Sequence, residues 1–118
     1  MRSLKQSILA GLLSGLSFVA ATVVAAEEKM KIVASFSILG DMVEHVIGEH
    51  ASVTTIVGPD ADAHIYQPSV ADARSVADAD VIFVNGLGFE TWSDTLIAES
   101  GTEASIHVAT GGITPVLV

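Results

Sequence analysis

Apolar and polar positions come in short blocks along this chain, and the period changes from block to block. Met30–Ser35, MKIVAS, is a short β-branched run that predicts a strand. After it the apolar residues switch to helical spacing: Ile38, Leu39, Met42, Val43, Val46 and Ile47 recur together, while Asp41, Glu44 and His45 fall mostly on other faces. Ser37 stands where a cap belongs and Gly48 where a helix stops, so a helix is expected from Ser37 to about Glu49. Ser52–Val57, SVTTIV, is β-branched throughout and predicts a second strand. The polar loop Gly58–Ser69 follows, and Ser69-Val70-Ala71-Asp72 forms a Ser-x-x-Asp box that opens a short helix from Val70 to about Asp78. Asp80–Val84, DVIFV, is apolar on both faces, as a buried parallel strand is. Asn85–Glu90, NGLGFE, is a glycine loop, and Thr91-Trp92-Ser93-Asp94 has the composition of a second capping box, with a helix expected to about Glu99. Ser105–Ala109 is a fourth strand, and Thr110-Gly111-Gly112 the loop after it.

Strands alternating with helices over short connections predict an α/β fold: a four-stranded parallel sheet flanked by helices, with right-handed crossovers. No internal repeat or low-complexity tract interrupts the order. In such a sheet every loop that follows a strand lies on one edge, and ligands bind beyond the carboxyl ends of the strands. That rule brings four segments together: Ser35–Ser37, Gly58–Ser69, Asn85–Glu90 and Thr110–Gly112.

The start of the chain changes the picture. Met1–Gln6 carries Arg2 and Lys5, and Ser7–Ala26 is uncharged and rich in Leu, Val, Ala and small residues, ending Val24-Ala25-Ala26. This is the order of a secretory signal, so residues 1–26 are expected to be cleaved after Ala26, leaving 27–118 as the folded part. The alternative is an uncleaved anchor, since the apolar run approaches spanning length. Loss of residues 1–26 leaves 3 basic residues against all 14 acidic ones, a net charge of −11. A surface of that sign excludes nucleic acid as a partner, because such binding depends on Lys and Arg neutralising phosphates. It is compatible with cations as ligands, and equally with plain solubility. The chain has no cysteine, hence no disulfide and no residue to carry an N-terminal lipid. A soluble periplasmic protein is expected, with no stable membrane insertion once the signal is removed.

Within the Gly58–Ser69 loop His64 is the candidate metal ligand, since neutral imidazole is the commonest donor to transition metals. Asp60 and Asp62 are placed to supply a carboxylate field or bonds that orient the ring. Against this, a lone loop histidine is commonly a surface residue, and no HExxH, no His pair at i and i+4 and no Cys accompanies it. Tyr66 has a structural role packing under the loop, Pro68 biases Gln67 to extended geometry, and Asp72 answers the Ser69 cap; Asp60 has the alternative of stabilising the Gly-Pro turn. Asn85-Gly86-Leu87-Gly88 raises a second possibility, a small exported α/β nucleotide- or phosphate-binding protein using the Asn85–Glu90 loop. The third glycine of G-x-G-x-x-G falls at Thr91, which weakens it. Glu90 either faces a ligand or stabilises the helix start beside it. His45, His50 and His107 occupy solvated positions, and Phe89 and Trp92 are packing residues.

Taken together, IVASFSILGDMVEHVIG and VTTIVGPDADAHIYQPSVADARSVADADVIFVNGLGFETW resemble the periplasmic solute-binding proteins of zinc- and manganese-importing ABC transporters, the cluster A-I solute-binding family. The pattern carried is S-F-x-I-x-G-D, then G-P-D-x-D-x-H-x-Y-x-P, then N-G-x-G-x-E, in order from about Lys31 to Trp92. The resemblance implies two α/β lobes joined by a long helix, with one Zn2+ or Mn2+ held between them. It also implies a monomer that catalyses no reaction and delivers the ion to a membrane permease. His64 matches the family's first metal ligand, and the other ligands are expected beyond Val118, so the chain is expected to be the incomplete N-terminal lobe. Val70 stands where the family often has Pro. Ala63 stands where some zinc-dedicated members carry an acid, which tilts the expectation towards the mixed zinc and manganese group. A cell-surface adhesion role, as in some relatives, is a further alternative.

Overall fold

The computed structural model describes residues 20–118, so residues 1–19, which hold the charged start and most of the expected signal, lie outside the described residues. From Ala20 to Lys29 the chain has no regular secondary structure and is exposed. The elements that follow are β1 (Met30–Phe36), α1 (Ser37–Ile47), a single 3-10 turn (Gly48–His50), β2 (Ala51–Val57), α2 (Val70–Ala77), β3 (Val81–Val84), α3 (Ser93–Ser100) and β4 (Ser105–Val108). The four strands form one parallel sheet in the order β2-β1-β3-β4. In register, Val33 pairs with Thr54 on one side and Ile82 on the other, and Ile82 continues to Ile106.

The strand order dictates which face each helix covers. The β1-to-β2 crossover runs one way across the sheet and the next two run the other way. Right-handed crossovers therefore place α1 on one face and α2 with α3 on the opposite face. Side-chain alternation agrees. Val33, Ile82 and Val84 join Ile56, Val76 and Leu96 in the main core on the α2/α3 face, while Ile32 and Phe83 point to the side of α1. Burial in β3 alternates for the same reason. Ile82 and Val84 are buried and Val81 and Phe83 are half-buried, so the strand is less fully enclosed than its composition predicts.

The α1 face is incompletely covered. The helical spacing of its apolar residues predicts one buried stripe, yet only Leu39 and Gly40 are buried, and Ile38, Met42 and Val46 are exposed. The reason is topological: α1 packs on β1 and β2, and among the described residues no helix covers β3 and β4 on that side. An apolar cleft of about 300 Å³ remains there, lined by Ile32, Leu39, Met42, Val43, Val46 and Phe83 among others.

Two of the three expected caps change. The Ser69 box forms in full, with the Asp72 N–H donating to Ser69 Oγ at 3.2 Å and the Ser69 N–H donating to Asp72 Oδ2 at 2.7 Å. Ser37 is not a cap. Extended Phe36 precedes the helix and Ser37 is already inside it. The Thr91 box does not form either. No bond joins Thr91 to Asp94, and α3 begins without a side-chain cap bond. Ser93 instead directs its N–H and its hydroxyl to the Glu90 carbonyl, at 3.2 and 2.9 Å. Gly48 stops α1 as expected, at φ 57°, a conformation that favours glycine.

Ile82 lies in the middle of the sheet and is 1% exposed. Ile82→Ala is expected to destabilise the fold by about 2–5 kcal/mol through lost burial and a residual cavity. Urea unfolding should show a lower midpoint with an unchanged m-value.

Candidate metal site

The strand order reverses between β1 and β3, and in open α/β sheets the crevice beyond such a reversal is where ligands bind. All four expected loops meet at this edge. Glu90, only 5% exposed, accepts from the Gly86 N–H at 2.9 Å and from the Ser35 hydroxyl at 3.3 Å, so the β3–α3 loop is clasped to the end of β1. The Thr110 N–H donates to the Asn85 carbonyl at 3.1 Å, bringing in the loop after β4. Gly86 has φ 85°, and a Cβ there would collide with the Val108 and Thr110 side chains, so this close approach requires glycine.

His64 stands on the same edge, in the middle of the loop after β2. Its ring lies 4.6 Å from the Phe89 ring in edge contact, and Phe89 in turn lies 4.7 Å from Phe36. Its backbone N–H donates to Asp62 Oδ1 at 2.8 Å, and its ring Nδ1 is 2.9 Å from the same oxygen. A carboxylate only accepts, so the neutral ring carries its proton on Nδ1 and keeps a free lone pair on Nε2. The side chain is 61% exposed, which leaves Nε2 open to a solution ion. Asp62 is held below the ordinary carboxylate value, chiefly by the His64 backbone N–H and next by the ring.

The other candidates have different positions. Asp60 is exposed and makes no hydrogen bond or ion pair among the described residues, so it neither touches the His64 ring nor braces the Gly-Pro turn through its side chain. Glu90 is buried, with its carboxylate turned to Gly86 and Ser35. Tyr66 packs edge-on against Trp92 at 5.5 Å and donates its hydroxyl to Asp72 Oδ2 at 2.8 Å, which ties the loop to the α2 cap. His45, His50 and His107 are exposed.

Two contacts had no sequence signal of their own. The Trp92 indole donates from Nε1 to the Ala63 carbonyl at 2.6 Å, and Phe89 bridges Phe36 and His64. The edge rule places these aromatics near the loop, but a binary pattern of apolar and polar residues assigns them to the core.

Among the described residues no group of three or more His, Cys, Asp or Glu is gathered in a metal-holding cluster. The site therefore offers one oriented imidazole with a carboxylate behind it. That is short of the four donors zinc takes and of the oxygen-richer sets that suit manganese.

Comparison with known proteins places this arrangement in context. A family model described as "Zinc-uptake complex component A periplasmic" matches residues 32–116. A relative in Halalkalibacterium halodurans, the manganese-binding lipoprotein MntA, is 45% identical over 82 residues, covering 70% of this chain and 27% of the relative. A second, the manganese ABC transporter substrate-binding lipoprotein PsaA of Streptococcus mitis, is 36% identical over 67 residues, covering 57% and 22%. A Mn-bound periplasmic metal-binding protein from Candidatus Liberibacter asiaticus superposes with a TM-score of 0.69 at 34% identity, over 75% of this chain and 33% of that one. The chain thus spans about a fifth to a third of the length of such relatives.

The Tyr66 hydroxyl sits above its ordinary pKa of 10.0, first because Asp72 accepts its proton and then through burial. A pKa raised by folding favours the protonated form, so this stabilisation is complete below pH 10 and fades as pH rises through the higher folded value. Tyr66→Phe is expected to cost about 1 kcal/mol at neutral pH. The gap from the parent should close above pH 10, as followed by urea midpoints from pH 7 upward.

Proposed function

The chain belongs to the zinc-uptake component A family, and from that premise we propose that it is the N-terminal lobe of a periplasmic solute-binding protein that captures Zn2+ or Mn2+ for an ABC importer. The observation that carries this proposal is the His64 ring, anchored through Nδ1 on Asp62 with Nε2 open at the sheet's switch point. His64 supplies one donor, and Asp62 orients it and raises its basicity. The remaining donors come from a second lobe, for which the greater length of the relatives leaves room. Asp60 contributes only field. Tyr66 and Glu90 shape the two loops, and no reaction is catalysed. The protein works as a monomer in the periplasm. Residues 1–26 are its signal and 27–118 its lobe, and the acidic surface suits a cation.

The glycine-loop alternative is the weaker reading. A phosphate would need the free backbone N–H groups of Asn85–Glu90, but Glu90 already accepts from Gly86 N and Phe89 N is turned to the Gly86 carbonyl.

With one imidazole, residues 27–118 should take up Zn2+ or Mn2+ only weakly in calorimetry, and tight stoichiometric binding would count against the proposal. In a form carrying both lobes, His64→Ala should weaken zinc binding at least about tenfold, or ~1.4 kcal/mol. Unchanged affinity in that variant would remove His64 from the site.

A further inference from the structure

The loop that carries His64 is exposed along most of its length, and the bonds it makes to itself move with it. Asp62 binds His64 two residues away, and Ser69, Asp72 and Tyr66 bind one another at the loop's far end. Among the described residues, one hydrogen bond reaches the loop from beyond α2: the Trp92 Nε1–H to the carbonyl of Ala63, at 2.6 Å and 29 residues away in sequence. It lands on the residue directly before His64. Ala63 is also buried, at 7% exposed, in a loop whose neighbours on both sides are open. A buried carbonyl without a partner is costly, so this indole has a defined task. One turn upstream, Phe89 meets the His64 ring and leans on Phe36, which ends β1. The clasp of Glu90 to Gly86 and Ser35 fixes the segment that carries Phe89.

We propose that Trp92 and Phe89 are the positioning residues of His64: the indole N–H sets the backbone from which the imidazole projects, and the phenyl ring sets its orientation at the sheet edge. The β3–α3 loop thus prepares a donor that belongs to the β2–α2 loop. An imidazole already held in one pose loses less side-chain freedom when it takes an ion. The consequence for metal rests on the proposed role of His64 as a donor, whereas the positioning itself is measurable in the metal-free chain. That separation keeps failure of one distinguishable from failure of the other.

The test replaces Trp92 with benzothienylalanine, which puts sulfur in place of the indole N–H at nearly the same shape, alongside Trp92→Phe and Phe89→Leu. The readout is the set of ring-to-ring NOEs in the metal-free protein. In the parent, His64–Phe89 and Phe89–Phe36 cross-peaks are both expected. In the benzothienyl variant and in Trp92→Phe, the His64–Phe89 cross-peaks should fall severalfold while those of Phe89–Phe36 and the Asp72 cap of α2 persist. In Phe89→Leu, the His64 ring protons should shift towards their free-peptide positions. Full His64–Phe89 cross-peaks without the N–H would overturn the assignment of Trp92. Loss of every tertiary cross-peak in the benzothienyl variant would also overturn it, by showing that the indole holds the fold and not the histidine. Unmoved His64 resonances in Phe89→Leu would remove Phe89.

Discussion

The parallel pairing of β1 with β3, Ile32 to Val81 through Ala34 to Phe83, is the constraint on which the rest of the molecule depends. It joins strands that are not consecutive, and so forces the chain to cross back over β1 after making β2. That reversal sends α1 to one face and α2 with α3 to the other. It also parts the loops after β1 and β3 and opens the crevice there. Ser35, Phe36, Gly86, Phe89 and Glu90 all sit within a few residues of this pairing. Their mutual contacts join the loops that the crossover separates.

Most of the fold was legible because each element carries its own period. The β-branched runs, the helical spacing after Ile38 and the Ser69–Asp72 box all specify local structure from local residues. The failures share one cause. Ser37 and Thr91 have the composition of caps, but whether a residue caps depends on the backbone direction at which the chain enters the helix, and tertiary packing sets that direction. The exposed row Ile38, Met42 and Val46 was illegible in the same way, because periodicity shows that a face is apolar and not whether anything lies against it. At the site, the residue types around His64 were legible and their division of labour was not. Asp60 and Asp62 look alike in sequence, yet only Asp62, at i−2, closes both bonds to His64 within one loop turn. The indole bond to Ala63 spans 29 residues and leaves no trace in spacing.

Charge at the switch-point edge sorts possible ligands by sign. Glu90 takes up the Gly86 backbone N–H, and Asp62 is held below the ordinary carboxylate value because two N–H groups of His64 point at it. Asp62 therefore places negative charge beside the histidine, and the surrounding chain is acidic as well. A cation gains on approach to such a surface, whereas a phosphate meets repulsion from Asp62 and from the acidic chain around it.

The same geometry limits how tightly these residues alone hold an ion. Asp62 is exposed and engaged with the histidine, so it contributes basicity to Nε2 and not a bond of its own to a metal. One imidazole leaves the other positions on the ion to water, which exchanges freely. Affinity must then rise steeply when further donors close over the edge and fall as steeply when they part. Under the proposed role, capture and release follow from that single dependence. The lobe keeps its donor rigid through Trp92 and Phe89, and the ion's retention is governed by what approaches from the other side. Under that same proposed role, a tighter, self-sufficient site on this edge would hold the ion at the point where delivery requires it to let go.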